Sequence, residues 1–379
     1  MGIQPRRVRL SDLLKEKLSV REELASKLDR RERREALNDG HAHREPRPCG
    51  LTVHPGRGCT YACIYCYVED MGIPRRPEPS RLSGVQLAYA IASNPYTILG
   101  RGGTFLAFGS VTEPFLPTIK ERTLEYLRAV SHYLGNPTQF STKAYLSEED
   151  AERISSVDPT VSALVTIPAL EWAEKIEPRA PPPELRFKTL SNLLDRGIHA
   201  SLFLRPLIPG VSEEEGPSIL ELAASLGVKG VVLGALRVTR RILRELEAVG
   251  LKDLANRMIR EPKSPVDQVP LNTGDLKRML SSKARSLGLR VYPSACSANV
   301  DAHDLGCHMC NMGPCDGSLP EYDPEEIEQA LMGLGIEVKI VPKGGRILAL
   351  VRGGSKRARR VRHLVSTATK RMVTVRSVR

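Results

Sequence analysis

Short apolar runs alternate with amphipathic stretches between residues 51 and 234. The runs at 51–54, 104–109, 138–143, 159–166, 199–204 and 228–233 predict six strands. The stretches near 82–93, 117–134, 147–155, 183–195 and 212–226 space their apolar residues as helices do. Strands alternating with helices predict parallel βαβ units and an α/β fold. Six such units fit a partial (β/α)6 TIM-type barrel, with its site at the C-terminal ends of the strands. The same alternation also fits a doubly wound sheet.

The flanks read differently. Residues 11–37 predict one helix, with Ser11 as its cap and Leu13, Leu14, Leu18 and Leu24 as its apolar stripe. The stretch 41–48 (HAHREPRP) predicts a linker. Residues 236–290 read as mainly helical, followed by a Cys-rich segment. A helix at 324–333 and strands at 336–341 and 346–351 come next, with Lys343, Gly344 and Gly345 at the turn. The resulting division is a charged helical N-terminal extension (1–47), a barrel core (48–235), a helical extension (236–292), a Cys-rich metal-binding segment (293–318) and a small basic C-terminal α+β module (319–379).

Charge adds a partner class. Lys and Arg number 56 against 44 Asp and Glu, a formal net charge of +12, which favours polyanions and nucleic acid first. A mixed, Arg-rich surface gives the same balance. The last 25 residues carry Lys356, Arg357, Arg359, Arg360, Arg362, Lys370, Arg371, Arg376 and Arg379 and no acidic residue. Val361, Leu364, Val365 and Ala368 share one helical face there, which leaves much of the basic set exposed, and KRMVTVRSVR alternates like a strand. Aromatic residues are only 4% of the chain, so phosphate contact fits this tail better than base stacking. No apolar run reaches the length of a membrane span, and the N-terminus lacks the apolar core of a secretory signal. No membrane association and a cytoplasmic location are therefore expected, with the oligomeric state left open.

Eight cysteines fall into two groups plus Cys49, a distribution that favours metal binding over disulfides in a reducing compartment. Cys49 reads as a packed thiol. The first group, GCTYACIYCYVED (58–70), sets Cys59, Cys63 and Cys66 in a C-x3-C-x2-C loop just after the first predicted strand. Three thiolates can hold three irons of a cubane and leave the fourth open to a small molecule. Zinc, with His54 as a fourth ligand, and metal-free thiols are the alternatives.

This triplet resembles the cluster motif of the radical S-adenosylmethionine (SAM) superfamily, with Tyr65 just before the third cysteine. The runs FGSVTEPFLPTIKERTLEYL (108–127), STK (141–143) and EPRAPPPELRFKTLSNLLDRGIHASLFLRPLIPGV (177–211) are similar to the spore-photoproduct-lyase-like branch, often labelled DNA repair photolyases. The resemblance covers roughly 49–236. It implies a [4Fe–4S] cluster on Cys59, Cys63 and Cys66, and SAM bound by its amino and carboxylate groups to the unligated iron. Reductive cleavage of SAM would yield a 5′-deoxyadenosyl radical that abstracts hydrogen from substrate, fed by an electron donor such as ferredoxin or flavodoxin. It further implies Tyr65 near the adenine, Ser110, Thr112 and Glu113 at the methionine amino group, Lys143 at the carboxylate, and Thr166 and Arg205 at ribose or carboxylate. The chain departs from the branch at one point. Spore photoproduct lyases have a hydrogen-donor cysteine soon after the motif, whereas no cysteine occurs here between Cys66 and Cys296. Thymine-dimer repair by that route does not follow.

The second group, Cys296, Cys307, Cys310 and Cys315, forms C-x10-C-x2-C-x4-C, with Gly306 and Gly313 permitting tight turns. Four soft ligands suit a second [4Fe–4S] cluster or a structural zinc, in which His303 or His308 could replace one cysteine. Three functions follow. The first is a radical SAM enzyme modifying or repairing nucleic acid. The second is a radical SAM enzyme acting on a peptide or protein with an auxiliary cluster. The third is a non-catalytic, metal-stabilised nucleic-acid-binding protein. Nothing in the sequence names a catalytic residue beyond the cofactor set.

Overall fold

The computed structural model describes residues 7–47 and 50–378; Cys49 and Arg379 lie outside them. Seven parallel strands form the main sheet: β1 (Leu51–Val53), β2 (Leu106–Phe108), β3 (Thr138–Thr142), β4 (Ser162–Thr166), β5 (His199–Leu207), β6 (Gly230–Ala235) and β7 (Arg290–Tyr292). Each pairs with the next in chain order, and β1 does not pair with β7. The sheet is thus an open barrel. The six strands expected from the sequence are all present. The seventh was read as the end of a helical stretch; three residues following the helix Gly274–Ser286 are too short to show an alternation.

The outer face of the sheet carries Ala163, Val165, Leu202, Leu204, Val231 and Leu233 into one core with helix residues such as Leu190, Leu193, Ile219 and Leu220. Alternate positions along the same strands point to the other face. There Leu164 and Val232 pack with Tyr292 and with Ala298 of the helix Ala295–Ala302. The helix that begins the Cys-rich segment therefore lies on the concave side of the barrel.

The N-terminal helix is two helices, Leu10–Ser26 and Arg30–Asn38. Asp29 starts the second with a capping box to Glu32. Ser11 does not cap the first. Glu326, in the helix Pro324–Met332, accepts from the backbone N–H of Leu10 at 2.9 Å and of Ser11 at 2.8 Å, a cap supplied from across the chain. The expected linker contains a 3-10 turn, Gly40–Ala42, with His41 and Ala42 buried. Asn94 fixes it by donating to the carbonyls of His41 and Arg44 at 2.8 and 2.9 Å.

At the C-terminus, β8 (Val338–Lys343) is antiparallel to β9 (Arg346–Arg352), which is parallel to β10 (Val373–Val378). The helix Ser355–Thr369 buries Val361, Leu364 and Val365 against this sheet. Lys356, Arg357, Arg359, Arg362 and Arg376 are exposed. Lys370 is not: it is 2% exposed, a correction to its place in the solvent-facing basic set. No helix among the described residues is long and apolar enough to cross a membrane.

Candidate active site

The loop carrying the first three cysteines is held from both sides. Gly58 donates its N–H to the Val111 carbonyl at 3.1 Å, and the Thr112 hydroxyl donates back to the Gly58 carbonyl. Gly58 has φ +87°, and a Cβ there would lie 2.3 Å from the Arg76 carbonyl, so glycine is required by sign of φ and by space. On the other flank Arg241 bonds the Asp70 carboxylate with both Nε (2.8 Å) and Nη2 (2.9 Å) and also reaches the Cys66 carbonyl. Such a bidentate, charge-assisted pair fixes orientation as well as position.

Cys59, Cys63 and Cys66 are free thiols. They line a cavity of about 120 Å³ together with Tyr65, Ser110, Thr112, Glu113, Lys143 and Thr166. Six of the seven residues expected at SAM thus converge with the cysteines at the C-terminal ends of the strands. Arg205 does not line this cavity. It lies inside β5, which continues to Leu207, and its guanidinium stands 5.7 Å from the Phe203 ring centroid. Gly109 keeps the cavity open: φ is +97°, and a Cβ would lie 2.6 Å from the Ser141 carbonyl.

The polar groups are set by burial and by each other. The Glu113 carboxylate accepts from the Thr142 hydroxyl and from the backbone N–H of Lys143 at 2.9 Å and Phe115 at 3.3 Å. Burial nonetheless pushes its pKa above the usual carboxylate range. Burial likewise raises Cys59, and raises Cys63 to about 12. For Lys143, burial acts against the charge, but Cys63 and Glu177 opposite it hold the ammonium above its ordinary value.

A second layer was not singled out in the sequence. Glu177 and Arg186 form an ion pair in which both side chains have zero exposure. The Tyr65 hydroxyl also donates to Glu177, and Lys143 Nζ lies 3.8 Å from it. Arg186 further donates to the carbonyls of Pro181 at 2.7 Å and Thr166 at 3.2 Å. The pair therefore anchors Tyr65, Lys143 and the end of β4 together. Both residues stand in the EPRAPPPELR run, where an acid and a base nine apart give no signal of their own.

The chemistry of this donor set fits a [4Fe–4S] cluster and SAM: three unpaired thiols, with an ammonium, a carboxylate and hydroxyls beside them. Among the described residues no three of His, Cys, Asp and Glu converge as ligands of one metal ion. His54, the candidate fourth zinc ligand, is engaged elsewhere, with Nε2 2.7 Å from Arg44 and Nδ1 3.5 Å from the Ser110 hydroxyl. Burial, with Arg44 beside it, holds it neutral, at about 3.

The second cysteine group sits near the other end of the strands. Cys307 and Cys315 exchange backbone hydrogen bonds at 3.3 and 3.0 Å and pack with Phe105, just before β2, and Val300. The Ser297 hydroxyl is 3.2 Å from Cys315 Sγ, and that of Ser294 is 3.2 Å from Cys296 Sγ. Gly306 and Gly313 are required by close approach: a Cβ would lie 2.6 Å from the Gly317 carbonyl and 2.9 Å from the Cys315 nitrogen, respectively. His303 turns its Nδ1 to the Asn299 carbonyl at 2.9 Å. A larger cavity, about 370 Å³, adjoins this region between Gly50, Phe105, Met309 and Arg362, away from the first three cysteines.

Residues 53–223 match the model of the radical SAM superfamily. Residues 53–223 thus form a radical SAM domain, of the kind found in enzymes that use a [4Fe–4S] cluster and SAM. Among solved structures, it is similar to a spore photoproduct lyase variant with bound AdoMet and dinucleoside spore photoproduct, with a TM-score of 0.51 at 12% identity over 63% of this chain and 75% of that one. A second spore photoproduct lyase variant gives a TM-score of 0.51 at 12% identity, covering 65% and 77%. At such identities the likeness is one of fold. An uncharacterised protein of Acidianus two-tailed virus is 26% identical over 202 residues, 48% of this chain. The match spans 65% of that relative's length.

Proposed function

We propose that this protein is a radical SAM enzyme acting on nucleic acid. The observation that carries the reading is the single cavity that joins three free cysteines to Tyr65, Ser110, Thr112, Glu113, Lys143 and Thr166 at the strand ends. Cys59, Cys63 and Cys66 would hold the cluster, and the strand-end residues would hold SAM. When bound, cluster and SAM supply hydrogen-atom abstraction by a 5′-deoxyadenosyl radical. The chain's own part is placement. Lys143 offers its ammonium to a carboxylate, and Glu113 offers its carboxylate to an ammonium. Glu177 and Arg186 keep Tyr65 and Lys143 in position, and the packed helix Ala295–Ala302 limits water on the concave side.

Nucleic acid is supported by charge in two places. Arg57, Arg76 and Arg179 are exposed on the segments bordering the cysteine loop, and the helix Ser355–Thr369 with β10 exposes five further basic residues. The second cysteine group is read as an auxiliary [4Fe–4S] cluster. Such a cluster also suits a peptide substrate, the second reading. Anaerobic reconstitution with metal analysis, dithionite and SAM tests the enzyme. About eight irons and 5′-deoxyadenosine are expected; zinc alone without SAM cleavage refutes it. Filter binding across salt tests the partner: affinity for nucleic acid should fall steeply as salt rises, and no binding at low salt removes nucleic acid as substrate.

A further inference from the structure

The cavity of about 370 Å³ lies at the N-terminal ends of the strands. Gly50, just before β1, and Gly103 and Phe105, just before β2, line it from the barrel. Arg362 and His363 of the helix Ser355–Thr369, and Lys370 just after it, line it from the C-terminal module. Phe105 and Ser110 stand on opposite sides of β2 (Leu106–Phe108), one in this cavity and the other in the cavity of the first three cysteines. A ligand held here is therefore separate from one held there. The volume falls in the range of about 300–1,000 Å³ that small-molecule sites occupy.

The lining is rich in unpaired positive charge. It holds Arg47, Arg362 and Lys370 against one carboxylate, Glu45. Glu45 is already engaged, with Oε1 3.1 Å from Arg359 Nε and Oε2 3.2 Å from His363 Nε2. Among the described residues, no carboxylate pairs with Arg47, Arg362 or Lys370. The two arginines are exposed, whereas Lys370 is 2% exposed. Lys370 Nζ donates to the Gly103 carbonyl at 2.8 Å and stands 4.5 Å from the Phe105 ring centroid. An ammonium carries three N–H donors, and Gly103 is its one hydrogen-bond acceptor among the described residues. A buried cation short of partners is unfavourable by itself, and an anion in the cavity supplies what is missing.

We propose that this cavity is a second binding site, for a phosphate-bearing ligand of nucleotide size held by Arg47, Arg362 and Lys370. Guanidinium groups match phosphate oxygens two at a time, and a lysine ammonium adds a point charge. The space exceeds what a bare phosphate fills, and Met309, Met372 and Val373 offer apolar surface to the remainder of the ligand. The inference stands apart from the radical SAM reading, because it uses none of the residues around Cys59, Cys63 and Cys66. A chain that fails to cleave SAM leaves it intact.

The test is calorimetric titration of the full chain with adenosine 5′-monophosphate and with adenosine, then with a DNA hexamer bearing or lacking a 5′-phosphate. The nucleotide should bind at least about tenfold more tightly than the nucleoside, and Arg47→Gln and Arg362→Gln should each weaken it about tenfold. Arg285→Gln, which removes the same charge from the helix Gly274–Ser286, should leave it unchanged. Lys370→Gln should weaken binding as well; if that buried variant does not fold, the two exposed arginines carry the test. If only the hexamer pair shows the phosphate preference and the same dependence on Arg47 and Arg362, the site takes a nucleic-acid end and not a free nucleotide. Equal binding with and without phosphate in both pairs overturns the inference. So does a loss on Arg47→Gln and Arg362→Gln no greater than that on Arg285→Gln.

Discussion

Replacing Glu177 with Gln removes one charge from a fully buried pair and leaves the shape nearly intact. Arg186 would then hold its guanidinium at zero exposure with two carbonyls, of Pro181 and Thr166, as its remaining oxygen partners besides the new amide. Its Nη2 already has no partner. Breaking a buried pair from one side costs about 3–5 kcal/mol, and the low end applies because the amide oxygen still accepts. At roughly 2–3 °C per kcal/mol for a domain of this size, Glu177→Gln should lower the melting temperature by roughly 6–9 °C. Arg186→Met should do similar damage for the converse reason. The double variant should lose at least about 2 kcal/mol less than the sum, because the second change removes the stranded charge. The assay is denaturation of all four proteins of this cycle under anoxic conditions, with iron content measured alongside, since Tyr65 between Cys63 and Cys66 depends on Glu177. A loss under about 1 kcal/mol for Glu177→Gln, or an additive double variant, would refute the claim that this pair holds the site together.

Cys63→Ala should lower iron by about four atoms per chain and abolish 5′-deoxyadenosine formation, checked by metal analysis and chromatography. Gly109→Ala should weaken SAM binding about tenfold or more and destabilise the fold by about 1–3 kcal/mol, because the new Cβ meets the Ser141 carbonyl at 2.6 Å; equilibrium dialysis and melting measure the two. Lys17 donates to the Thr97 carbonyl at 2.8 Å and to that of Asn94, and burial, then Arg360 and Arg21, lower it from 10.5 to about 7. Below about 7 the folded and unfolded chains both carry the charge and the burial penalty is fully present. As pH rises from about 7 to 10.5 the folded chain releases the proton first, so this residue's penalty is relieved and stability climbs. The stability difference between Lys17→Met and the unaltered chain should therefore shrink or reverse across that window, read by denaturant titration at both ends.

The sequence by itself determined what is local. The strands follow from runs of apolar residues at their own spacing, and the helix Pro183–Asp195 has the bounds its pattern predicts. The cysteine loop is legible because its three cysteines lie within eight residues, and Ser110, Glu113, Lys143 and Thr166 because each follows or closes a strand. Interactions between distant segments belong to the tertiary structure. Glu326 caps a helix 316 residues away, which no propensity at Ser11 could reveal. Arg205 has the position of a site residue by rule, yet β5 runs on past it. Lys370 looks like its basic neighbours in composition. Only packing against Gly103 and Phe105 separates a buried, singly bonded cation from a solvated one, because burial and the field of neighbouring charges depend on which segments the fold brings together.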